Sequence, residues 1–323
     1  MKTFKKIISA VIAISMLAVM CVSVASCGKK TKYTIGIVQL APHVALDAAT
    51  EGFKQALIDK LGEENVTFDY QNATGDSTVC TTIVNSFVSK NVDLIMANAT
   101  AALQAAAAAT TTIPVLGTSI TEYGVALGLK NFNGTVGGNI SGTSDLAPLS
   151  DQGQMIVDLF PSAKKIGLLY CSGEPNSAYQ VKVIKEFLES KGLTATYFSF
   201  SDSNDLRSVT EAAAAASDLI YVPTDNTAAN STEIINAISR ERKVPVLTGE
   251  EGICAGCGTY TLSISYYELG YKTGEMAAKI LTGESKISEM PIEYDPNPVK
   301  KYNKDNIEFF GLEVPEGYVA IEK

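Results

Sequence analysis

Lys32-Tyr33-Thr34-Ile35-Gly36-Ile37 and Lys164-Lys165-Ile166-Gly167-Leu168-Leu169 follow one pattern, a basic start and then an aliphatic run interrupted by a single glycine. Each opens a series that recurs downstream in the same order. Asp93-Leu94-Ile95 is matched by Asp218-Leu219-Ile220, and Ile113-Pro114-Val115-Leu116 by Val244-Pro245-Val246-Leu247. The chain therefore reads as two copies of one unit.

Within each copy, short β-branched runs alternate with longer helical patterns, the signature of a parallel sheet with crossover helices. The first copy predicts strands near 34–40, 66–70, 92–97 and 114–117, with helices near 46–61, 78–90 and 101–110. Gly62 stops the first of these helices. The second copy predicts strands near 165–170, 194–200, 219–222 and 245–248, with helices near 179–191, 206–215 and 231–239. A further strand at 259–264 and helix at 266–281 begin no third copy, and the expectation is that they return to complete the first lobe. The fold class is therefore α/β, with two doubly wound parallel-sheet lobes joined by three crossovers near 144–149, 251–258 and 285–291. One lobe comprises 33–145 plus 259–284, the other 146–258 plus 285–323. Three crossings make a hinge that bends more easily than it twists.

Composition agrees. A chain of 323 residues with 46% hydrophobic content divides into about two domains of ordinary size. Its formal charge of −9 argues against nucleic acid, which selects basic surfaces. Lys2, Lys5 and Lys6 precede an uncharged apolar run at 7–26, as in a signal peptide. Such a run is also long enough to span a bilayer. Ala25-Ser26 directly before Cys27 resembles the lipobox of bacterial lipoproteins. This likeness implies a signal peptide at 1–26, lipid attachment at Cys27, a tether over 27–32, and an extracytoplasmic body held at the cell membrane by its lipid anchor. Two acyl chains hold a protein on a membrane stably where one does so only marginally.

In doubly wound sheets, ligands bind in the crevice beyond the carboxyl ends of the strands. If the two crevices face each other, the loops that converge are Ala41-Pro42-His43, Asn98-Ala99-Thr100 and Thr118-Ser119-Ile120-Thr121 from the first copy. The second contributes 171–177, Pro223-Thr224-Asp225-Asn226 and Gly249-Glu250-Glu251. Candidate ligand contacts in these loops are His43, Asn98, Thr100, Thr118 and Ser119 on one side. On the other they are Glu174, Asn176, Ser177, Thr224, Asp225, Asn226 and Glu250.

Ser172-Gly173-Glu174-Pro175-Asn176-Ser177 and Pro223-Thr224-Asp225-Asn226, together with Gly142-Thr143-Ser144-Asp145-Leu146 and Tyr266-Tyr267-Glu268-Leu269-Gly270, resemble one family. It is the solute-binding lipoproteins of ABC transporters of the tryptophan/tyrosine-binding type, with the type I periplasmic-binding-protein fold. The resemblance implies a monomer that captures a small solute, an aromatic amino acid or a relative, and delivers it to an ABC permease and its ATPase. The sequence departs from the family at Pro42, at Cys171 and at the Cys254/Cys257 pair, which touches the ligand's identity more than the class. A ligand sensor for a membrane receptor, or an importer of a sugar or nucleoside, would share the same fold and leader.

An amino acid brings an ammonium and a carboxylate, and a closed cleft must satisfy both because unpaired buried charge is costly. Asp225 is the first choice for the ammonium, with Glu174 and Glu250 behind it; the competing role for Asp225 is to cap the following helix. Asn98, Thr100 and Ser119 offer donors to the carboxylate at helix starts, where anions are favoured, or else serve as ordinary caps. Tyr123, Phe132 and Tyr179 are candidates for an aromatic wall. His43, the sole histidine, has no partners for a metal site or a catalytic triad. The glycine-rich 134–142 stretch lacks the strand-to-helix setting of a dinucleotide loop. No cofactor is implied, and no base, nucleophile and oxyanion set assembles from these loops. Cys254 and Cys257 leave a disulfide, a redox pair or two inert thiols open, in what reads as a crossover loop.

Overall fold

Asp93 and Asp218, equivalent in the repeat, perform the same task. Asp93 Oδ2 accepts the backbone N–H of Thr34 (2.8 Å), and Asp218 Oδ2 accepts those of Lys164 and Lys165 (2.8 and 2.9 Å). Each carboxylate ties the entry of its copy's third strand to the start of its first. The computed structural model describes residues 32–295 and 297–322. The leader, Cys27 and the tether up to residue 31 lie outside the described residues.

The first copy forms β1 (Tyr33–Gln39), α1 (Val44–Leu61), β2 (Val66–Asn72), α2 (Ser77–Ser89), β3 (Leu94–Asn98), α3 (Thr100–Ala109), β4 (Val115–Ile120), α4 (Tyr123–Leu127) and β5 (Ile140–Ser144). The second copy begins with α5 (Leu149–Leu159), β6 (Lys165–Cys171), α6 (Pro175–Ser190), β7 (Thr194–Phe200) and α7 (Leu206–Ala216). It continues through β8 (Leu219–Val222), α8 (Asn226–Ala229), α9 (Thr232–Arg242), β9 (Val246–Thr248), α10 (Glu251–Cys257) and β10 (Tyr260–Ser263). The chain then adds α11 (Tyr266–Leu281), β11 (Glu293–Tyr294), β12 (Val299–Tyr302), α12 (Lys304–Phe310) and β13 (Val319–Ala320).

Two sheets result, ordered β11-β5-β4-β3-β1-β2 and β13-β12-β10-β9-β8-β6-β7. The first five strands of each copy thus repeat one order, second-first-third-fourth-fifth, with parallel pairing throughout. Register repeats as well: Ile35 lies opposite Phe68 and Leu94, and Ile166 opposite Ala195 and Leu219. Only β12, which runs antiparallel to β10, breaks the parallel pattern.

The strand expected at 259–264 in the first lobe is instead β10, the fifth strand of the second sheet. The cause is β5. Its sequence Ile-Ser-Gly-Thr-Ser carries no apolar run, yet every residue is buried. Buried hydroxyls are tolerated when hydrogen-bonded. Ser141 Oγ donates to Met290 O (3.0 Å), Ser144 Oγ to Thr121 O (2.9 Å), and Thr143 pairs with Thr273 (2.8 Å). A reading that misses β5 leaves the first copy one strand short and lends it β10. The second crossing therefore lies at 264–265 rather than 251–258, which helix α10 and its capping Gly258 occupy. The third lies between β11 and β12 rather than at 285–291, because β11 joins the first sheet beside β5.

Both faces of each sheet are covered, as parallel sheets require. On the first sheet, Ile35, Ile37 and Leu94 meet Phe53, Leu57 and Met276 of α1 and α11, while Val38 and Ile95 meet Val84, Phe87 and Leu103. Helix α11 packs on the first sheet beside α1, and glycines set how closely the two helices approach. A Cβ at Gly270 would stand 1.9 Å from Ala49 O, and one at Gly52 would stand 2.0 Å from Tyr267 O. Among the described residues no helix is long and apolar enough to cross a membrane.

Candidate functional site

The carboxyl ends of β1, β4, β5, β6, β8 and β9 converge on a cavity between the lobes, with Tyr266 at the start of α11 closing one side. From the first lobe and its crossings come His43, Leu46, Ser119, Thr121 and Asp145. From the second come Asn176, Thr224, Asp225, Asn226 and Glu250. The gap encloses about 300 Å³ including its open mouth, with room inside for the centre of about one water (≈ 10 Å³). The lobes are thus closed on one another. His43 Nε2 bridges them by donating to Asn226 Oδ1 (3.2 Å), and burial holds its imidazole below the ordinary range.

Of the expected contacts, Asn98, Thr100, Thr118, Glu174 and Ser177 do not line this cavity. Asn98 is buried inside the first lobe, where its amide donates to Leu46 O (2.8 Å) and Thr50 (3.1 Å). Thr100 opens α3, and Thr118 pairs with Thr143 beneath the strand ends. Glu174 caps α8, accepting from Asn226 N and Nδ2 (3.0 and 2.7 Å) and from Thr227 N and Oγ1 (both 2.8 Å). Ser177 Oγ, Asn176 Nδ2 and Gln180 Nε2 all donate to Thr224 O, which fixes the loop after β8. None of the suggested aromatic residues lines the cavity either. Tyr123 is core, its hydroxyl donating to Gly117 O and Thr143 O and its ring stacked on Phe132.

Asp225 reaches the cavity but is engaged. Its Oδ2 accepts Cys171 N (2.7 Å) and its Oδ1 accepts Ala228 N (2.8 Å), so the capping role is real. Burial, then the charge of Glu174, push its carboxyl upward against those two donors. Glu250 is engaged likewise, accepting Gly252 N (2.6 Å) and Ile253 N at the start of α10; burial raises it to about 7.

Asp145 differs. It sits in the first crossing, 5% exposed, and accepts the Tyr266 hydroxyl on Oδ2 (2.9 Å). Burial lifts it to about 6, although Tyr266 and, more weakly, the nearby Thr121 hydroxyl favour the charged form. Its Oδ1 has no hydrogen-bond partner among the described residues, and neither has Ser119 Oγ. Ser119 holds φ +56°, a left-handed conformation that a serine adopts at some cost. Asp145 N donates to Ile120 O (3.2 Å), which keeps these two strand ends together.

Among the described residues no lysine or arginine lines the cavity and no cluster suited to a metal ion is present. Three carboxyls therefore face a nearly dry space with no fixed cation. Unpaired carboxylate there calls for a cationic or strongly donating guest. Asp145 is not among the expected contacts because it follows β5, which carries no apolar run, and Tyr266 is not because it follows β10, which the sequence places outside the second copy. Helix α10 holds the Cys254/Cys257 pair inside the second lobe, not in a crossover; both thiols are free, buried and pushed upward by burial.

Comparison with known proteins places this geometry. Residues 34–319 match the model of the ABC transporter substrate binding protein family. A tyrosine-binding protein of Clostridioides difficile is 36% identical over 265 residues, 81% of this chain and 76% of that one. An ABC domain from Streptococcus pneumonia in complex with L-Trp is 30% identical and superposes with a TM-score of 0.85 over 90% of this chain and all of that one. The ligand-free, open structure of a substrate binding protein with adhesive properties from Clostridium difficile is 36% identical, with a TM-score of 0.69 over 90% of this chain and 99% of that one. The backbone follows the liganded structure more closely although the identity is lower, in keeping with the narrow gap between the lobes. A duplicated α/β body, closed over an acid-lined cleft and matched nearly end to end, makes this chain a member of the ABC transporter substrate-binding protein family.

Proposed function

We propose that the chain captures an aromatic α-amino acid between its lobes outside the cytoplasm and presents it to an ABC permease driven by its ATPase. The observation that carries the reading is the closed interlobe cavity, whose buried carboxyls lack any fixed cation and so suit a guest bearing an ammonium. Likeness to a tyrosine-binding protein and to a tryptophan complex supports an aromatic side chain on that guest. Opening must precede entry, since the closed gap is too narrow to admit such a molecule. The lipobox-like Ala25-Ser26-Cys27 supports a diacylated cysteine as the tether.

A thermal-shift screen of the mature chain tests this reading. Ligand at 100 times its Kd stabilises the folded state by about 2.7 kcal/mol. Tyrosine, tryptophan or phenylalanine should raise the melting temperature, while sugars and nucleosides should leave it unchanged. A shift with a sugar or nucleoside and none with any aromatic amino acid would overturn the assignment.

A further inference from the structure

We infer that Asp145, in the first crossing rather than in the second lobe, receives the ligand's ammonium. The inference rests on the amino-acid reading above and names the atom that carries it. Each of the other cleft carboxylates has both oxygens bound to backbone N–H groups: Asp225 to Cys171 N at the end of β6 and Ala228 N in α8, Glu250 to Gly252 N and Ile253 N at the start of α10. Those bonds hold the walls of the cleft. Asp145 lines the cavity and alone among them keeps a buried oxygen free of partners.

Geometry fixes the free oxygen in place. Tyr266 O–H holds Oδ2, and Asp145 N is bonded to Ile120 O, so the carboxylate is oriented before any guest arrives. An ammonium that docks on Oδ1 gains a charge-assisted hydrogen bond, and the carboxylate gains the partner that burial otherwise denies it. Beside it, at the end of β4, Ser119 Oγ is the second buried polar atom in the cavity lacking a partner, and a hydroxyl can donate to the guest's carboxylate. Two unpaired groups on adjoining strand ends, an acceptor and a donor, match the two ends of an α-amino acid backbone. Contact at the crossing also means that the guest is held where the lobes hinge.

Calorimetric titration of the mature chain with L-tyrosine, tyramine and 3-(4-hydroxyphenyl)propanoic acid tests the assignment, because the last lacks only the ammonium. Wild-type protein should bind tyrosine best and the propanoic acid worst. Asp145→Asn keeps the shape and still accepts the Tyr266 hydroxyl, yet should weaken tyrosine by at least about 30-fold, roughly 2 kcal/mol at ~1.4 per decade. The propanoic acid should change less than about threefold, so discrimination collapses. Native tyrosine affinity in Asp145→Asn, or an equal loss for both ligands, would overturn the inference. Should that variant not fold, the wild-type comparison still decides: the propanoic acid binding as well as tyramine contradicts an ammonium site. Wild-type protein that ignores all three while binding a sugar or nucleoside would instead refute the amino-acid reading.

Discussion

The phenolic hydroxyl of Tyr266 donates to Asp145 Oδ2 at 2.9 Å, joining the residue that follows the second crossing to one within the first. Both groups are buried, at 7% and 5% exposure, so the bond is made where a lost partner is felt most. Two of the three strands of the hinge are thereby tied through the same carboxylate that faces the cavity.

Tyr266→Phe removes that donor and keeps the ring. A hydrogen bond to a charged group contributes about 1.5–3 kcal/mol. Calorimetry should show a melting temperature lower by several degrees, and titration a weaker affinity for tyrosine, because Asp145 then ionises less readily. An unchanged affinity would remove Tyr266 as the positioning partner.

Stability of the ligand-free protein should fall as pH rises from 6.5 to 8. Burial raises Glu250 from 4.5 to about 7, so the native state holds a proton that the unfolded chain has already lost. Stability that depends on this group is full below about 4.5 and is lost as pH rises through about 7. Asp145, raised to about 6, acts in the same direction at the lower end of the window. His43 is shifted downward and acts oppositely, but only below its ordinary value of 6.5. A loss on the order of 1 kcal/mol corresponds to about 2 °C in a chain of this size. Asp225, pushed by burial up to about 8, loses its proton in the same window, so Glu250→Gln should make the fall shallower without abolishing it, and an equal slope in that variant would contradict the account.

Asp225 should behave as a cap. Asp225→Ala strands Ala228 N and Cys171 N, and a lost cap costs about 1–2 kcal/mol. Asp225→Asn serves only one of the two donors, because its amide N–H group opposes the other. Both variants should melt lower than wild type while tyrosine affinity falls less than about tenfold. A 30-fold loss of affinity without loss of stability would return the ammonium to Asp225.

Gly270→Ala should be among the most damaging single substitutions outside the cleft. Its Cβ would stand 1.9 Å from Ala49 O, a backbone atom that moves only if α1 and α11 separate. Overpacking of this kind costs about 1–3 kcal/mol or more. Denaturant titration should show that loss, and a loss below about 0.5 kcal/mol would mean the helices part freely.

Much of this was legible in the sequence because equivalent positions do equivalent work. Asp93 and Asp218 close the same strand starts, and Ile95 N and Ile220 N donate to Pro114 O and Pro245 O (2.9 and 3.0 Å). His43, Ser119, Asn176, Thr224, Asp225, Asn226 and Glu250 all reach the cavity because they follow strands whose apolar runs are plain. β5 was illegible because its burial is met by hydroxyl pairing, not by apolar side chains, and with it went Asp145, the fifth-strand position for β10, and two of the three crossings. Asp225 was overvalued because capping and ligand binding call for the same residue type, and only the two backbone bonds tell them apart.

A crystal structure of the mature chain grown with L-tyrosine tests the central claim most directly. The account predicts tyrosine between the closed lobes, its amino nitrogen within hydrogen-bonding distance of Asp145 Oδ1. Tyrosine bound outside the interlobe cavity, or lying within it with its ammonium on Asp225 or Glu250 and Asp145 Oδ1 still without a partner, would contradict it.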